Sequence, residues 1–228
     1  KADKVSLALL KFFTVLTSLG AKERLALSFR HMNDDPQNHI RVIPPLLRRE
    51  VTLHEPYSGD YIHGYMVNAG FSENVMKWHR QHPGIPLRFF WDKWEEEPVK
   101  RVDNTLSFYQ LDDVEFLRQM AGCKAYASTA GFESVCEAMY LGKPILMVPA
   151  HIEQDCNAYD AEKSGAGIIS SDFNLQQLLE FAKDYHPNRD FVYWVRGAEY
   201  TLLNLLESDS SNYQQVLFNE MYLVEEFI

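Results

Sequence analysis

From residue 61 onward, short apolar runs bounded by turn residues alternate with stretches of helical periodicity, and this alternation restricts the fold more than any other feature of the chain. Segments 61–67, 87–91, 106–109, 124–128, 145–148 and 168–169 read as strands. Between them, helices are expected over 112–120, 132–141 and 154–164, and from the spacing of Phe71, Val75 and Trp78. Strand-helix alternation of this kind implies βαβ units and an α/β fold with a doubly wound, Rossmann-like parallel sheet. Ligands of such sheets sit at the carboxyl ends of strands, at a topological switch point. Two loops qualify, 68–70 and 128–131. Trp78, Phe89, Phe90 and Trp91 are expected in the core.

Before residue 61 the pattern differs. Val5, Leu9, Phe12, Leu16 and Leu19 recur at helical spacing. Asp3 and Lys11 interrupt the stretch, which is too short to span a bilayer. It reads as a helix packed within a protein, in a chain that starts at Lys1 within a longer protein. Segments 25–29 and 40–43 read as short strands, and 44–60, opening on Pro44-Pro45, as a linker. The boundaries expected are therefore 1–43, 44–60, a domain over 61–206, and a helical, acidic-apolar tail over 207–228.

The net charge of -10 and the absence of any Lys/Arg concentration argue against nucleic-acid binding. Arg41, Arg48 and Arg49 form the densest basic group and read as a solvated loop rather than a phosphate track. Three cysteines without a CxxC argue against a disulfide framework and for a reducing, cytoplasmic setting. His79 and His82 have a spacing that can bind metal, but no third ligand lies near them in sequence, so no metal site is expected. They would instead complement a helix C-terminus. Asp112-Asp113 reads as a helix cap.

The chemistry concentrates in residues 128–158. Gly131 lacks a Cβ, which lets the backbone turn sharply and approach a ligand. The amides of Phe132 to Ser134 open a helix, where unpaired N–H groups and the dipole favour an anion such as phosphate. Ser134 can join them or cap the helix, and a plain N-cap turn is the alternative. Glu137, one turn on, could accept hydrogen bonds from both hydroxyls of a ribose or stand as an exposed helical glutamate. Gly142-Lys143-Pro144 is a helix stop. Glu153 and Gln154 follow the next strand and offer acceptors and donors to sugar hydroxyls, or form an acidic first helical turn. Asn157 adds an amide one turn later, and His151 lies on the same loop.

The series Gly131-Phe132-Glu133-Ser134, Glu137-Ala138 and Gly142-Lys143-Pro144, then Pro149, Glu153-Gln154 and Asn157-Ala158, resembles the donor-binding signature of nucleotide-sugar glycosyltransferases with the GT-B fold. It is similar to the plant and bacterial UDP-glycosyltransferases and to the lipid-linked N-acetylglucosaminyltransferase of peptidoglycan synthesis. The clear match covers about 30 residues; similarity in element order runs from about residue 25 to 206.

Several expectations follow from the resemblance. Gly131 and Ser134 would hold the diphosphate, Glu137 the ribose, and Glu153 and Gln154 the transferred sugar, with Asn157 near the phosphates. Thr129 stands where many plant members have a diphosphate-binding histidine. Phe132 and Glu133 replace their Trp-Asn pair. Gly70 and Ser72 match the family's other strand-end loop by position, and the base would lie against 109–111. Residues 1–43 would be the last helix and strand of an N-terminal domain whose missing part carries the acceptor site and the general base, so the catalytic residue is not expected in this chain. The reaction implied is attack of an acceptor hydroxyl on a nucleotide-diphosphate-sugar donor, UDP foremost, without a cofactor or metal and with inversion. This piece alone would bind donor without completing transfer. Membrane contact would be peripheral and confined to the full-length protein. A non-catalytic GT-B descendant binding a nucleotide or protein, or a sugar-nucleotide 2-epimerase relative, would share the fold.

Overall fold

The computed structural model describes residues 4–93 and 97–207. Its centre is a seven-stranded sheet built from β3 (Ile62–Met66), β4 (Leu87–Trp91), β5 (Val99–Arg101), β6 (Leu106–Gln110), β7 (Ala125–Ser128), β8 (Ile145–Met147) and β9 (Gly167–Ile169). The order is β5-β6-β4-β3-β7-β8-β9, parallel throughout except for the antiparallel edge strand β5. The chain winds outward from β3 through β4 to β6, then returns to β7 and winds the other way through β8 to β9. The switch point therefore lies between β3 and β7.

Strand periodicity explains why both faces are buried. Phe90, Tyr126, Ile145 and Met147 face one core, under α4 (Asp113–Gly122), α5 (Phe132–Tyr140) and α8 (Arg189–Arg196). Their neighbours Phe89, Trp91, Ala125, Ala127 and Leu146 face a second core beneath α3 (Ser72–Gln81) and α7 (Leu175–Phe181). Gly64 lies opposite Phe89 in register, and a Cβ there would come within 2.2 Å of the Phe89 ring. Trp78, Phe89, Phe90 and Trp91 are buried as expected.

Outside this sheet, β1 (Arg24–Leu27) and β2 (Ile40–Ile43) pair in parallel as a sheet of their own. They dock on the larger unit through Phe29, whose ring lies 4.7 Å from Phe132, and through Ser28, whose carbonyl accepts from the Trp194 indole. Arg30 pairs with Asp160 of α6 (Ile152–Lys163).

Four expectations need correction. The segment 44–60 is not bare linker, since it holds the short helix α2 (Arg49–Leu53), pinned by the buried Val51. Its backbone also bonds the main domain through Tyr57 and Gly59. The basic group is not a solvated loop: Arg41 pairs with Glu23, and Arg48 with Glu137. Helix α1 (Lys4–Thr17) touches α6 but buries no residue, and Val5, Leu9, Phe12 and Phe13 are exposed. Strand β5 was not anticipated; three residues on an edge carry too little periodicity to read. Residues 182–188 separate α7 from α8, and a further helix covers 198–207. Of the tail expected over 207–228, all but residue 207 lies outside the described residues. No helix among the described residues is long and apolar enough to cross a membrane.

His63, the second residue of β3, is fully buried between Tyr126, Phe90 and Phe116. Neither ring nitrogen finds a partner at hydrogen-bond geometry. Burial lowers its pKa to about 3, offset in part by the Arg88 backbone. The unfolded chain takes up this proton near pH 6.5, before the folded chain does, so stability is full above that pH and falls as pH drops toward 3. Between pH 7 and pH 5 this one group should remove about 2 kcal/mol of stability, at ~1.4 kcal/mol per unit. Urea unfolding of the parent and His63→Leu at both pH values checks it. The parent should lose that much more than the variant.

Candidate functional site

The chain leaves β7 through Thr129, Ala130 and Gly131 and enters α5 at Phe132. The left-handed residue of this turn is Ala130, at φ 61, whereas Gly131 has an ordinary φ of -63. A Cβ on Gly131 would meet nothing closer than the Ser134 hydroxyl at 3.8 Å. Gly131 therefore does not make the sharp turn read from the sequence. Ala130 does, at the cost a Cβ carries in that region.

After β6 and β9, α4 is capped by Asp112 and α7 by Asn174. After β3, the Asn68 side chain closes a 3-10 turn over Ala69–Phe71 that runs into α3. After β7 and β8, the N-cap residues of α5 and α6 make no side-chain capping bond. The α5 end beside the switch point is thus left without a side-chain cap. Beside the α5 terminus, Thr129 is fully buried with its hydroxyl unpartnered. Ser134 donates to the Gly131 carbonyl at 3.2 Å, which leaves its oxygen able to accept. The Tyr126 phenol lies beneath these hydroxyls and is pushed upward in pKa by burial.

A cavity of about 350 Å³ opens between the N-terminal turns of α4 and α5. Ser134, Glu133 and Glu137 line it from α5, Asp112 and Asp113 from α4, and Tyr65, Phe116 and Leu111 supply its apolar wall. Arg48 closes it from the segment before α2. Its Nε donates to one Glu137 oxygen at 2.6 Å and Nη2 to the other at 2.8 Å, while Nη1 reaches Asp113 at 3.1 Å. The Glu137 side chain is 2% exposed, Arg48 34% and Asp113 91%. The pairing holds the guanidinium above its usual pKa. Carboxylates outnumber the one cation here, so the cavity suits hydroxyl donors. An anion fits better at the α5 terminus.

The remaining expected residues lie around this centre. Asn157 on α6 reaches the Ala130 carbonyl and the Glu153 carboxylate, both at 3.4 Å, tying α6 to the β7 turn. Gln154 is buried, and its side-chain oxygen accepts from the Ala150 amide at 2.9 Å, so only its NH2 remains to offer. His151 is exposed. Asn68 folds over its own loop, accepting from the Gly70 amide at 2.7 Å, and Ser72 starts α3 nearby. Neither Gly70 nor Ser72 lines the cavity. Phe132 is turned toward Phe29. The structure thus brings Ser134 and Glu137 into one cavity, places Thr129, Gly131 and Phe132 at its margin, and holds Glu153 and Asn157 beyond the turn.

Sequence reading missed Arg48, Asp113, Tyr65 and Phe116. Arg48 lies far from Glu137 in sequence, and only a lone basic pair marked it. His79 donates to the Asp103 carboxylate at 2.7 Å, and His82 stacks on Trp78 at 4.1 Å. Burial raises the Cys123 thiol to about 12, which makes it inert as a nucleophile at neutral pH.

Comparison with known proteins points the same way. The profile of glycosyl transferase family 1 matches residues 15–185. A Caenorhabditis elegans protein named as a UDP-glucuronosyltransferase, ugt-48, is 26% identical over 105 residues, 45% of this chain and 20% of that protein. Among solved structures, CalG4, the calicheamicin glycosyltransferase, superposes with a TM-score of 0.56 at 15% identity, over 90% of this chain and 59% of that one. Arabidopsis thaliana UGT89C1, solved with quercetin, gives 0.54 at 15% identity, over 75% and 51%. At these identities the likeness is one of GT-B fold. The chain spans about half the length of these solved structures and a fifth of the worm protein.

The buried Thr129 hydroxyl gives a direct test of whether this turn is shaped for a ligand. Thr129→Val keeps the shape and removes an unsatisfied polar group, so stability should hold or rise by about 1 kcal/mol in chemical denaturation. A loss above about 2 kcal/mol would mean that the hydroxyl has a structural partner.

Proposed function

The chain belongs to glycosyl transferase family 1, and from that premise we propose that it is the donor-binding part of an enzyme that moves a hexose-type sugar from a nucleotide diphosphate, UDP foremost, to an acceptor hydroxyl. One observation carries the reading. At the switch point, the α5 terminus without a side-chain cap and the orphan Thr129 hydroxyl stand beside a cavity floored by the buried Glu137.

In this reading the diphosphate lies on the first-turn amides of α5 with Thr129 and Ser134, where aligned dipoles and hydroxyl groups favour negative charge. The ribose hydroxyls face Glu137, and the base rests on the wall near Leu111. Glu153, Asn157 and the free amide of Gln154 face the transferred sugar from α6, while Gly70 and Ser72 complete the phosphate side from the neighbouring loop. As the glycosidic bond breaks, charge grows on the leaving diphosphate. Fixed amide dipoles offset it without reorganising, and this supports a metal-independent reaction.

Direct attack by an acceptor hydroxyl would invert the anomeric carbon. The acceptor and its general base are assigned to an N-terminal domain of which α1, β1 and β2 are the last elements. The separate two-stranded sheet supports that division. The three unpaired cysteines support a reducing, cytoplasmic setting.

Calorimetry with UDP, UDP-glucose, UDP-GlcNAc and dTDP-sugars tests the reading. We expect heat with UDP and its sugars at sub-millimolar to millimolar ligand. No heat with any of them at millimolar concentration sinks the donor site. Made in an Arg48→Ala background, where no guanidinium competes for the carboxylate, Glu137→Ala should weaken UDP binding roughly tenfold, the scale of a lost pair of hydrogen bonds to a charged group. If the double variant bound UDP as tightly as Arg48→Ala alone, Glu137 would lose its ribose role.

A further inference from the structure

Glu137 is already occupied. A carboxylate presents one in-plane edge at which two donors can bind side by side, and the Arg48 fork fills it, with Nε on one oxygen and Nη2 on the other. A vicinal pair of ribose hydroxyls would need the same edge. Guanidinium and diol therefore exclude one another.

The third arm of Arg48 makes the exclusion reversible. Nη1 rests on Asp113, an exposed carboxylate on the opposite wall of the same cavity. A guanidinium leaving Glu137 has a second anionic seat within reach and need not cross open solvent. Arg48 also sits immediately before α2, whose last residues lead into the backbone tied to the base of the main domain through Tyr57 and Gly59. The fork is thus carried by the segment that joins the β1–β2 unit to the main domain.

Resting on the donor-site reading above, we propose that Arg48 is a latch: it closes the ribose seat by binding Glu137, and donor binds only when the guanidinium shifts toward Asp113. The inference concerns regulation of that site, with a segment outside the seven-stranded sheet setting access to it.

The sign of the effect separates a latch from ordinary electrostatics. Arg48 is the cation in a cavity whose other charged groups are carboxylates, so removing it should weaken the binding of an anionic ligand if charge alone matters. Removing a latch strengthens it. If the latch is closed in about nine molecules in ten, Arg48→Ala should bind UDP roughly tenfold more tightly than the parent chain. Arg48→Lys keeps the charge but cannot form the fork, and should bind UDP about threefold more tightly. It also serves as the working variant should Arg48→Ala fail to show a cooperative thermal transition.

Inorganic pyrophosphate, which has no diol, completes the experiment by calorimetry on the same proteins. Its affinity should be unchanged in Arg48→Lys and unchanged or weaker in Arg48→Ala. UDP binding that is equal or weaker in both variants overturns the latch and leaves the donor site standing. Tightening of pyrophosphate as well as UDP overturns it too, because the gain would not lie at the diol seat. Absence of UDP binding to parent and variants alike removes the donor site, and the latch with it.

Discussion

The reversal of winding between β3 and β7 is the constraint on which this end of the molecule depends. Where successive crossovers run the same way, each strand-end loop is covered by the next helix. Where they diverge, two neighbouring loops part and leave a crevice that no element fills. Here those loops are 68–72 and 128–131, and the cavity that holds Glu137 opens beside the second, between α4 and α5. The helices after β7 and β8 have N-caps without a side-chain bond, while those after β6 and β9 are closed by Asp112 and Asn174. The first-turn amides of α5 therefore stay available beside the switch point.

A buried carboxylate in such a crevice needs a partner, because an isolated charge out of water costs several kcal/mol. Glu137 takes it from Arg48, a residue contributed from outside the seven-stranded sheet. The same bond also ties α2 to α5 across the cavity mouth, so occupancy of the cavity and position of the joining segment are physically linked. A hydrophobic contact could join those elements as firmly. Only a polar one can exchange partners with a ligand.

How much of this was legible follows from the range of each signal. The parallel strands and the helices between them were readable because period-2 and period-3.6 patterns repeat within a few residues, and boundaries at Leu87, Trp91 and Phe132 fell where the residues placed them. The cluster of candidate residues was readable because Ser134 and Glu137 lie one helical turn apart. The three-residue edge strand β5 offered too short a pattern. Arg48 was misread as solvated because its partner comes from a distant helix, and nothing in the run Leu46-Leu47-Arg48-Arg49 encodes Glu137. Gly131 was credited with the turn on general grounds, yet the strained backbone belongs to Ala130, whose side chain gave no warning. Helix α1 had a true apolar periodicity, but periodicity states that a face exists and not what covers it.

Buried polar atoms without a partner also occur at Arg24, Trp78, His79 and Gln119, but in one short run several departures fall together. Within nine residues the chain holds an orphan hydroxyl at Thr129, a left-handed alanine at Ala130, a helix without a side-chain cap, and a buried carboxylate at Glu137. Each is unfavourable by itself, at roughly 1–3 kcal/mol for a strained or unsatisfied group. A sequence selected only for stability would replace them readily, with valine at Thr129, glycine at Ala130 and an apolar residue at Glu137. His63 is also unsatisfied, but it lies deep between aromatic rings with no cavity beside it, so it bears on stability and pH alone. The turn differs because Ser134 and Glu137, at the far end of the same run, line a cavity that a ligand can enter. That nearness to open space, more than the polarity of any one residue, is what makes 129–137 the candidate site.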